Sequence, residues 1–121
     1  MAKILVVEDD TSILNSYGFV LVKKGYDVTT AENGEAALKA CAAEQFDLIV
    51  LDMLMPEMSG LDFLKQAGLK TNAPETKVLV LSNTESDKIR DEAMELGAMD
   101  YVLKVESTPY DVADKIAELL K

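Results

Sequence analysis

The chain has 121 residues, of which 49% are hydrophobic and 28% are charged, so it can form an ordinary core and does not have a disordered composition. Its net charge of -10 disfavours direct binding to nucleic acid or insertion at an anionic membrane, because both carry charge of the same sign. It has no histidine, which excludes histidine-based catalysis and phosphohistidine carriage. Its one cysteine, Cys41, is expected to be a packing residue, and the lack of a disulfide framework fits a reducing, cytoplasmic setting.

Short apolar segments rich in β-branched residues alternate with segments of helical periodicity. The five predicted strands are Ile4–Val7, Val28–Thr30, Leu48–Leu51, Val78–Leu81 and Tyr101–Leu103. Strands that are apolar on consecutive residues are typical of a sheet buried on both faces, and helices between them are the connections of a parallel sheet. We therefore predict one α/β domain over residues 1–121, a doubly wound (βα)₅ fold. The strand order 2-1-3-4-5 is one common arrangement, and periodicity alone leaves others open.

Residues that start or stop helices stand between these segments. Either Asp10 or Thr11 can cap the first helix, and Gly25 can end it. The later boundary residues are the capping pair Ser59 and Asp62, Gly97 after the fourth predicted helix, and Thr108 with Pro109 before the last.

The first helix has an apolar stripe that predicts its buried face. At 100° per residue this stripe contains Ile13, Leu14, Tyr17, Val20 and Leu21. Phe19 and Val22 fall outside it and are expected to face solvent, either as scattered surface residues or as part of a partner surface. The candidate docking residues on this helix are Ile13, Ser16, Phe19 and Val22.

Polar residues follow four of the five predicted strands. They are Glu8 and Asp9 after the first strand, Asp52 after the third, Ser82 after the fourth and Lys104 after the fifth. Each residue alone has an ordinary interpretation as a cap, turn or surface residue. In the order 2-1-3-4-5 the carboxylates would crowd together, and a Mg²⁺ ion is the natural counter-charge. Lys104 and Ser82 would then complete a site suited to a phosphoryl group.

Four segments of the sequence carry a resemblance to a known family. They are Ile4–Asp9, Leu51–Gly60, Val80–Ser82 and Gly97–Lys104. In this order and spacing the chain resembles the receiver (CheY-like) domain of two-component response regulators over nearly its whole length. The resemblance implies the flavodoxin-like fold with the strand order 2-1-3-4-5.

The resemblance also implies roles for individual residues. Asp52 is the phosphoacceptor, and Lys104 and Ser82 contact the phosphoryl group. The implied Mg²⁺ ligands are Glu8 through water, Asp9, Asp52 and the backbone carbonyl of Leu54, with Mn²⁺ as an alternative ion. Ser82 and Tyr101 form the switch, Leu54 and Asn83 tune the phosphate lifetime, and Pro56 and Gly60 shape the loop after Asp52.

The function implied is phosphorelay signal transduction. A histidine kinase or a histidine phosphotransfer protein donates the phosphoryl group to Asp52. The domain then changes conformation to control a downstream protein or output domain, as a monomer or a weak phosphorylation-dependent dimer. It promotes its own phosphorylation and dephosphorylation and is not expected to turn over a separate substrate.

One departure from the family lies directly after Lys104, where Val105 replaces the usual proline. The Lys104–Val105 bond is therefore expected to be trans in a reshaped loop, or cis at a cost of about 2.5–4 kcal/mol. Glu106 also stands where an apolar residue is common.

Two other functions compete with this one. An aspartyl phosphatase of another α/β family generally needs a second aspartate two positions after the nucleophile, and this position is Leu54. A phosphorylation-independent interaction module stays open, and Mg²⁺-dependent labelling of Asp52 by a small phosphodonor would distinguish it.

Overall fold

The computed structural model describes residues 1–83 and 85–121. Five parallel strands form one sheet in the order β2-β1-β3-β4-β5. The strands are β1 Lys3–Val7, β2 Asp27–Ala31, β3 Leu48–Asp52, β4 Lys77–Ser82 and β5 Asp100–Leu103. The helices are α1 Thr11–Lys23, α2 Gly34–Ala43, α3 Gly60–Ala67, α4 Leu69–Asn72, α5 Asp87–Glu95 and α6 Pro109–Leu119. The predicted doubly wound fold and its strand order are confirmed.

Consecutive apolar residues in the strands supply the core on both faces of the sheet. In β1, Leu5 and Val7 belong to one buried cluster with residues of α2, α3 and α5, whereas Ile4 and Val6 belong to a second cluster with α1 and α6. Successive side chains of a strand point to opposite faces, so an unbroken apolar run fills two layers at once. This packing fixes the sheet and holds its carboxyl edge rigid.

Several predicted helix boundaries are confirmed, and one is wrong. Ser59 and Thr108 both form capping boxes, and Gly25 and Gly97 have the positive φ angles of helix-ending glycines. Thr11 does not cap α1, because it is already the first helical residue. The Asp10 side chain accepts the backbone N–H groups of the first turn instead.

Two local features were not predicted. The connection from β3 to β4 contains two helices, because Gly68 adopts a left-handed conformation (φ 56°) and separates α3 from α4. Lys104–Glu106 forms a single 3₁₀ turn after β5. No peptide bond between described residues is cis, so the Lys104–Val105 bond is trans and the loop is reshaped. Within the same described ranges, no helix has the length and apolarity needed to cross a bilayer.

Candidate functional site

Three carboxylates meet at the carboxyl edge of the sheet. Val7 of β1 pairs with Leu51 of β3, so the next residues, Glu8 and Asp52, lie side by side. Glu8 and Asp52 are each 2% exposed, whereas Asp9 is exposed to solvent. One oxygen from each of the three carboxylates lies within 4.8 Å of the others. The adjacency of the two strands thus creates a compact acidic cluster in which two carboxylates are buried and one is exposed.

Lys104 brings a positive charge into this cluster from the end of β5. Its Nζ lies 3.1 Å from Asp52 Oδ2 and donates to both oxygens of Glu8, at 2.8 and 3.0 Å. The Lys104 side chain is 11% exposed, so both contacts are largely screened from water. The predicted proximity of Lys104 and Asp52 is present, and the bidentate contact with Glu8 was not predicted.

The cluster changes the protonation of its members. Burial, followed by the hydrogen bond and charge of Asp52, raises the pKa of Glu8 from 4.5 to about 8, although Lys104 acts in the opposite direction. Burial and the neighbouring Asp52 also raise the pKa of Asp9. Burial lowers the pKa of Lys104, but its contacts with Glu8 and Asp52 outweigh this and the net pKa is raised. Three acidic groups share the single ammonium of Lys104, so the site has fewer positive charges than carboxyl groups.

Ser82 ends β4 beside this cluster. Asp52 pairs with Leu81 of β4, and the backbone N–H of Met53 donates to the carbonyl of Leu81 at 3.0 Å. Ser82, the next residue of β4, therefore lies at the same edge of the sheet as Asp52. Its side chain is buried. Tyr101 is half-buried on the neighbouring strand β5, and Asn83 is exposed. The sheet thus places the predicted hydroxyl at the site and the predicted aromatic one strand away.

The loop after Asp52 is tightly folded. The backbone N–H of Leu54 donates to Asp52 Oδ1 at 3.2 Å, and the N–H of Gly60 donates to the carbonyl of Met53 at 3.0 Å. A Cβ on Gly60 would lie 2.7 Å from the carbonyl oxygen of Asp52, so only glycine fits there. The Leu54 side chain is 53% exposed, so only its backbone is tied to Asp52.

The predicted docking residues of α1 line two separate hollows of the surface. Ile13 and Ser16 line a groove of about 290 Å³ that also contains Lys104 and Pro109. Phe19 and Val22, 66% and 59% exposed, line a separate shallow hollow beside β2. Their predicted exposure is therefore confirmed, but a single hollow does not contain all four residues.

Cys41 lies half-buried on α2, away from the acidic cluster. Burial raises the pKa of its thiol, so the neutral form is favoured. This agrees with its predicted role as a packing residue.

Comparison with known proteins agrees with this geometry. Residues 4–116 match the family described as the response regulator receiver domain. The chain is 39% identical over 119 residues to the alkaline phosphatase synthesis transcriptional regulatory protein PhoP of Bacillus subtilis. This alignment covers 98% of the chain and 48% of PhoP, so the chain spans about half the length of that relative.

Solved structures match over the whole chain. The chemotaxis protein CheY4 of Vibrio cholerae superposes with a TM-score of 0.91 at 31% identity, covering 99% of each chain. The response regulator TrrA of Thermotoga maritima, solved in complex with Mg²⁺ and beryllium fluoride, superposes with a TM-score of 0.82 at 31% identity, covering 100% of each chain.

Proposed function

The chain belongs to the response regulator receiver domain family, whose members act in phosphorelay signalling. From this premise we propose that phosphorylation of Asp52 switches the chain between two conformations. The observation that supports this most strongly is the buried Asp52 carboxylate 3.1 Å from Lys104 Nζ and within an acidic cluster. Lys104 would contact an oxygen of the phosphoryl group, and the buried Ser82 hydroxyl would donate to another.

We propose that the acidic cluster holds Mg²⁺. Glu8, Asp9, Asp52 and the Leu54 carbonyl offer oxygen ligands only, and the three carboxylates face a single ammonium. Hard divalent cations prefer such ligands, so the donor set fits Mg²⁺, with Mn²⁺ as an alternative. The bound ion would neutralise negative charge on the phosphoryl oxygens. TrrA, a structural neighbour, was solved with Mg²⁺ and beryllium fluoride.

The proposed reaction is a phosphoryl transfer with Asp52 as the nucleophile. An Asp52 oxygen forms a bond to phosphorus while the bond from phosphorus to a histidine nitrogen of the donor breaks, and the histidine leaves with the electron pair. Water later attacks the phosphorus, which releases phosphate and restores the carboxylate. Leu54 and Asn83, which are both exposed, would tune access of this water. The domain would thus promote its own phosphorylation and dephosphorylation without a separate substrate.

The conformational switch would involve β4, β5 and α5. New phosphoryl oxygens favour an arrangement in which Ser82 moves towards Asp52, and Tyr101 moves into the space this opens. Tyr101 of β5 pairs with Val80 of β4, and Ser82 lies two residues after Val80 on the same strand. This proximity of Tyr101 and Ser82 supports the proposed coupling.

The proposed donor surface is α1 with the groove beside Lys104. Thr11–Lys23 contains no acidic residue although the chain carries a net charge of -10, so this helix would repel an acidic partner less than the rest of the surface does. A histidine kinase or phosphotransfer protein lying along α1 would contact Ile13 and Ser16 in the groove and Phe19 and Val22 in the hollow beside β2. The output would be a downstream protein or a further domain, with the receiver acting as a monomer or weak phosphorylation-dependent dimer in the cytoplasm.

Intact mass with acetyl phosphate tests the proposed function. Wild type with Mg²⁺ should gain one phosphoryl group, and EDTA or Asp52→Asn should prevent the gain. Asp91→Asn on the exposed surface of α5 is the matched control and should behave as wild type. Phosphoryl uptake by the Asp52→Asn variant would contradict the assignment, and absence of uptake by wild type would favour a phosphorylation-independent interaction module.

A further inference from the structure

Gly34, the first residue of α2, lies directly against Met58 in the loop after Asp52. Gly34 is buried, and a Cβ added to it would lie 2.5 Å from Met58 Sδ, 2.8 Å from Cγ and 3.1 Å from Cβ. Real Cβ atoms do not approach other atoms as closely as the first two distances. The space that a side chain at position 34 would occupy is therefore filled by Met58.

Side-chain rotation of Met58 cannot fully relieve such a contact. Rotation moves Sδ and Cγ, but Cβ is fixed by the backbone of Met58. The start of α2 also resists movement, because Asn33 caps it and Ala37, one turn along, is fully buried. A methyl group at position 34 would therefore displace the loop backbone by a few tenths of an ångström.

The loop transmits this displacement because it is stiff. The N–H of Met58 donates to the carbonyl of Pro56 at 2.7 Å around Glu57, which has a φ of 67°. This is a closed three-residue turn with a rare backbone conformation for a residue other than glycine. At the other end, Leu54 is tied to Asp52 by its own N–H. Only Met55 separates this turn from Leu54, so a shift of Met58 is expected to move the Leu54 backbone.

We infer that the contact between Gly34 and Met58 positions the loop that presents the Leu54 carbonyl to the cation site. Gly34 and Met58 are then positioning residues for Mg²⁺ binding, although neither touches the ion. This inference rests on the proposed function, because it takes the Leu54 carbonyl as a Mg²⁺ ligand. The position of α2 would then influence the affinity for Mg²⁺ at the carboxyl edge of the sheet.

A double-mutant cycle with Mg²⁺ as the probe tests the inference. Backbone amide NMR shifts during a Mg²⁺ titration of the full chain give the affinity of each variant. Gly34→Ala should weaken binding by about tenfold, the lower end of what is seen when support for a metal ligand is lost. Gly34→Ala should add no further loss in the Met58→Gly background, because Sδ, Cγ and Cβ of Met58, the three atoms it would strike, are all gone.

The matched control is Gly18→Ala in α1, another glycine-to-alanine change within a helix. Its Cβ would meet only Thr30 Cγ2, at an ordinary 3.7 Å, so Mg²⁺ affinity should equal that of wild type. If Gly34→Ala alone fails to fold, the double variant with Met58→Gly carries the test, and it must fold and bind Mg²⁺ as Met58→Gly does.

Amide hydrogen exchange without metal provides a second measurement. Gly34→Ala should speed exchange of the Leu54 and Gly60 amides, which donate within the loop, and Gly18→Ala should not. Absence of Mg²⁺ binding by wild type would overturn the proposed function and this inference together. Mg²⁺ binding by wild type, with unchanged affinity and unchanged exchange in Gly34→Ala, would overturn this inference alone.

Discussion

The Glu8 carboxyl group is 2% exposed and lies beside a second buried carboxylate, so its protonation is coupled to folding. Its pKa is about 8 in the folded chain against an ordinary 4.5. Between these values the folded state binds a proton that the unfolded state has released. The free energy of unfolding therefore falls as pH rises through this window, by up to about 1.4 kcal/mol per pH unit.

We predict that Glu8→Gln flattens this dependence. Urea unfolding in EDTA at pH 5.5 and at pH 8 should show a loss of stability for wild type and a much smaller loss for the variant. Glu118→Gln, an exposed change on α6, is the control and should keep the wild-type dependence. An identical pH dependence in Glu8→Gln would show that Glu8 is not buried in the protonated form. Added Mg²⁺ should also reduce the wild-type loss at pH 8, because metal binding favours deprotonated ligands.

Lys104 compensates two buried carboxylates at once, whereas Lys115 pairs with Asp100 where both side chains are more than one third exposed. We predict that Lys104→Met lowers the free energy of unfolding by about 2 kcal/mol at pH 8 without metal. This is less than the usual cost of removing one partner of a buried ion pair, because Glu8 can take up a proton and lose its charge. Lys115→Met should cost under about 1 kcal/mol. Urea unfolding of both variants checks this, and equal losses would contradict the buried role of Lys104.

At the scale of elements, α1 presents apolar side chains that the core does not use. Phe19 is 66% exposed, and its ring lies 5.7 Å from Lys23 Nζ, so its removal should change stability little. We predict that Phe19→Ala slows phosphoryl transfer from a phosphohistidine donor protein at least about threefold, the effect of losing one modest interface contact. Labelling by acetyl phosphate should keep its rate.

Tyr110→Ala supplies the control for this experiment, because Tyr110 is 50% exposed on α6. It should leave both rates unchanged. Equal slowing of the protein donor and acetyl phosphate by Phe19→Ala would place the effect at the acidic site instead of a docking surface.

The elements could be predicted from sequence because their signals are local. The apolar run of Leu48–Leu51 marks a strand buried on both faces, and Thr108 followed by Pro109 marks the start of the last helix; both occur in the structure. The break at Gly68 was missed, because one glycine within a helical pattern is compatible with a continuous helix.

The candidate site was predictable only in part. The strand order brings Glu8, Asp52 and Lys104 together, and their positions after the strands could be read from the sequence. The sharing of Lys104 between two carboxylates depends on side-chain directions that spacing does not specify. The contact between Gly34 and Met58 joins residues 24 positions apart and leaves no local pattern.

At the scale of the whole molecule, we propose that the output lies in other proteins or segments. The net charge of -10 is spread over a chain that spans about half the length of PhoP. Since PhoP is a transcriptional regulatory protein, a separate domain or partner is the proposed route from this receiver to a response. The receiver itself contributes the acidic edge, and β4, β5 and α5 are the elements proposed to respond to its phosphorylation.

The most direct test of the account is to locate the phosphoryl group. The chain is phosphorylated with acetyl phosphate and Mg²⁺ and then reduced with borohydride, which converts an aspartyl phosphate to homoserine, and its peptides are sequenced by mass spectrometry. We predict homoserine at position 52 and at no other aspartate. Homoserine at Asp9 in its place, or phosphate retained on Ser82, would contradict the account.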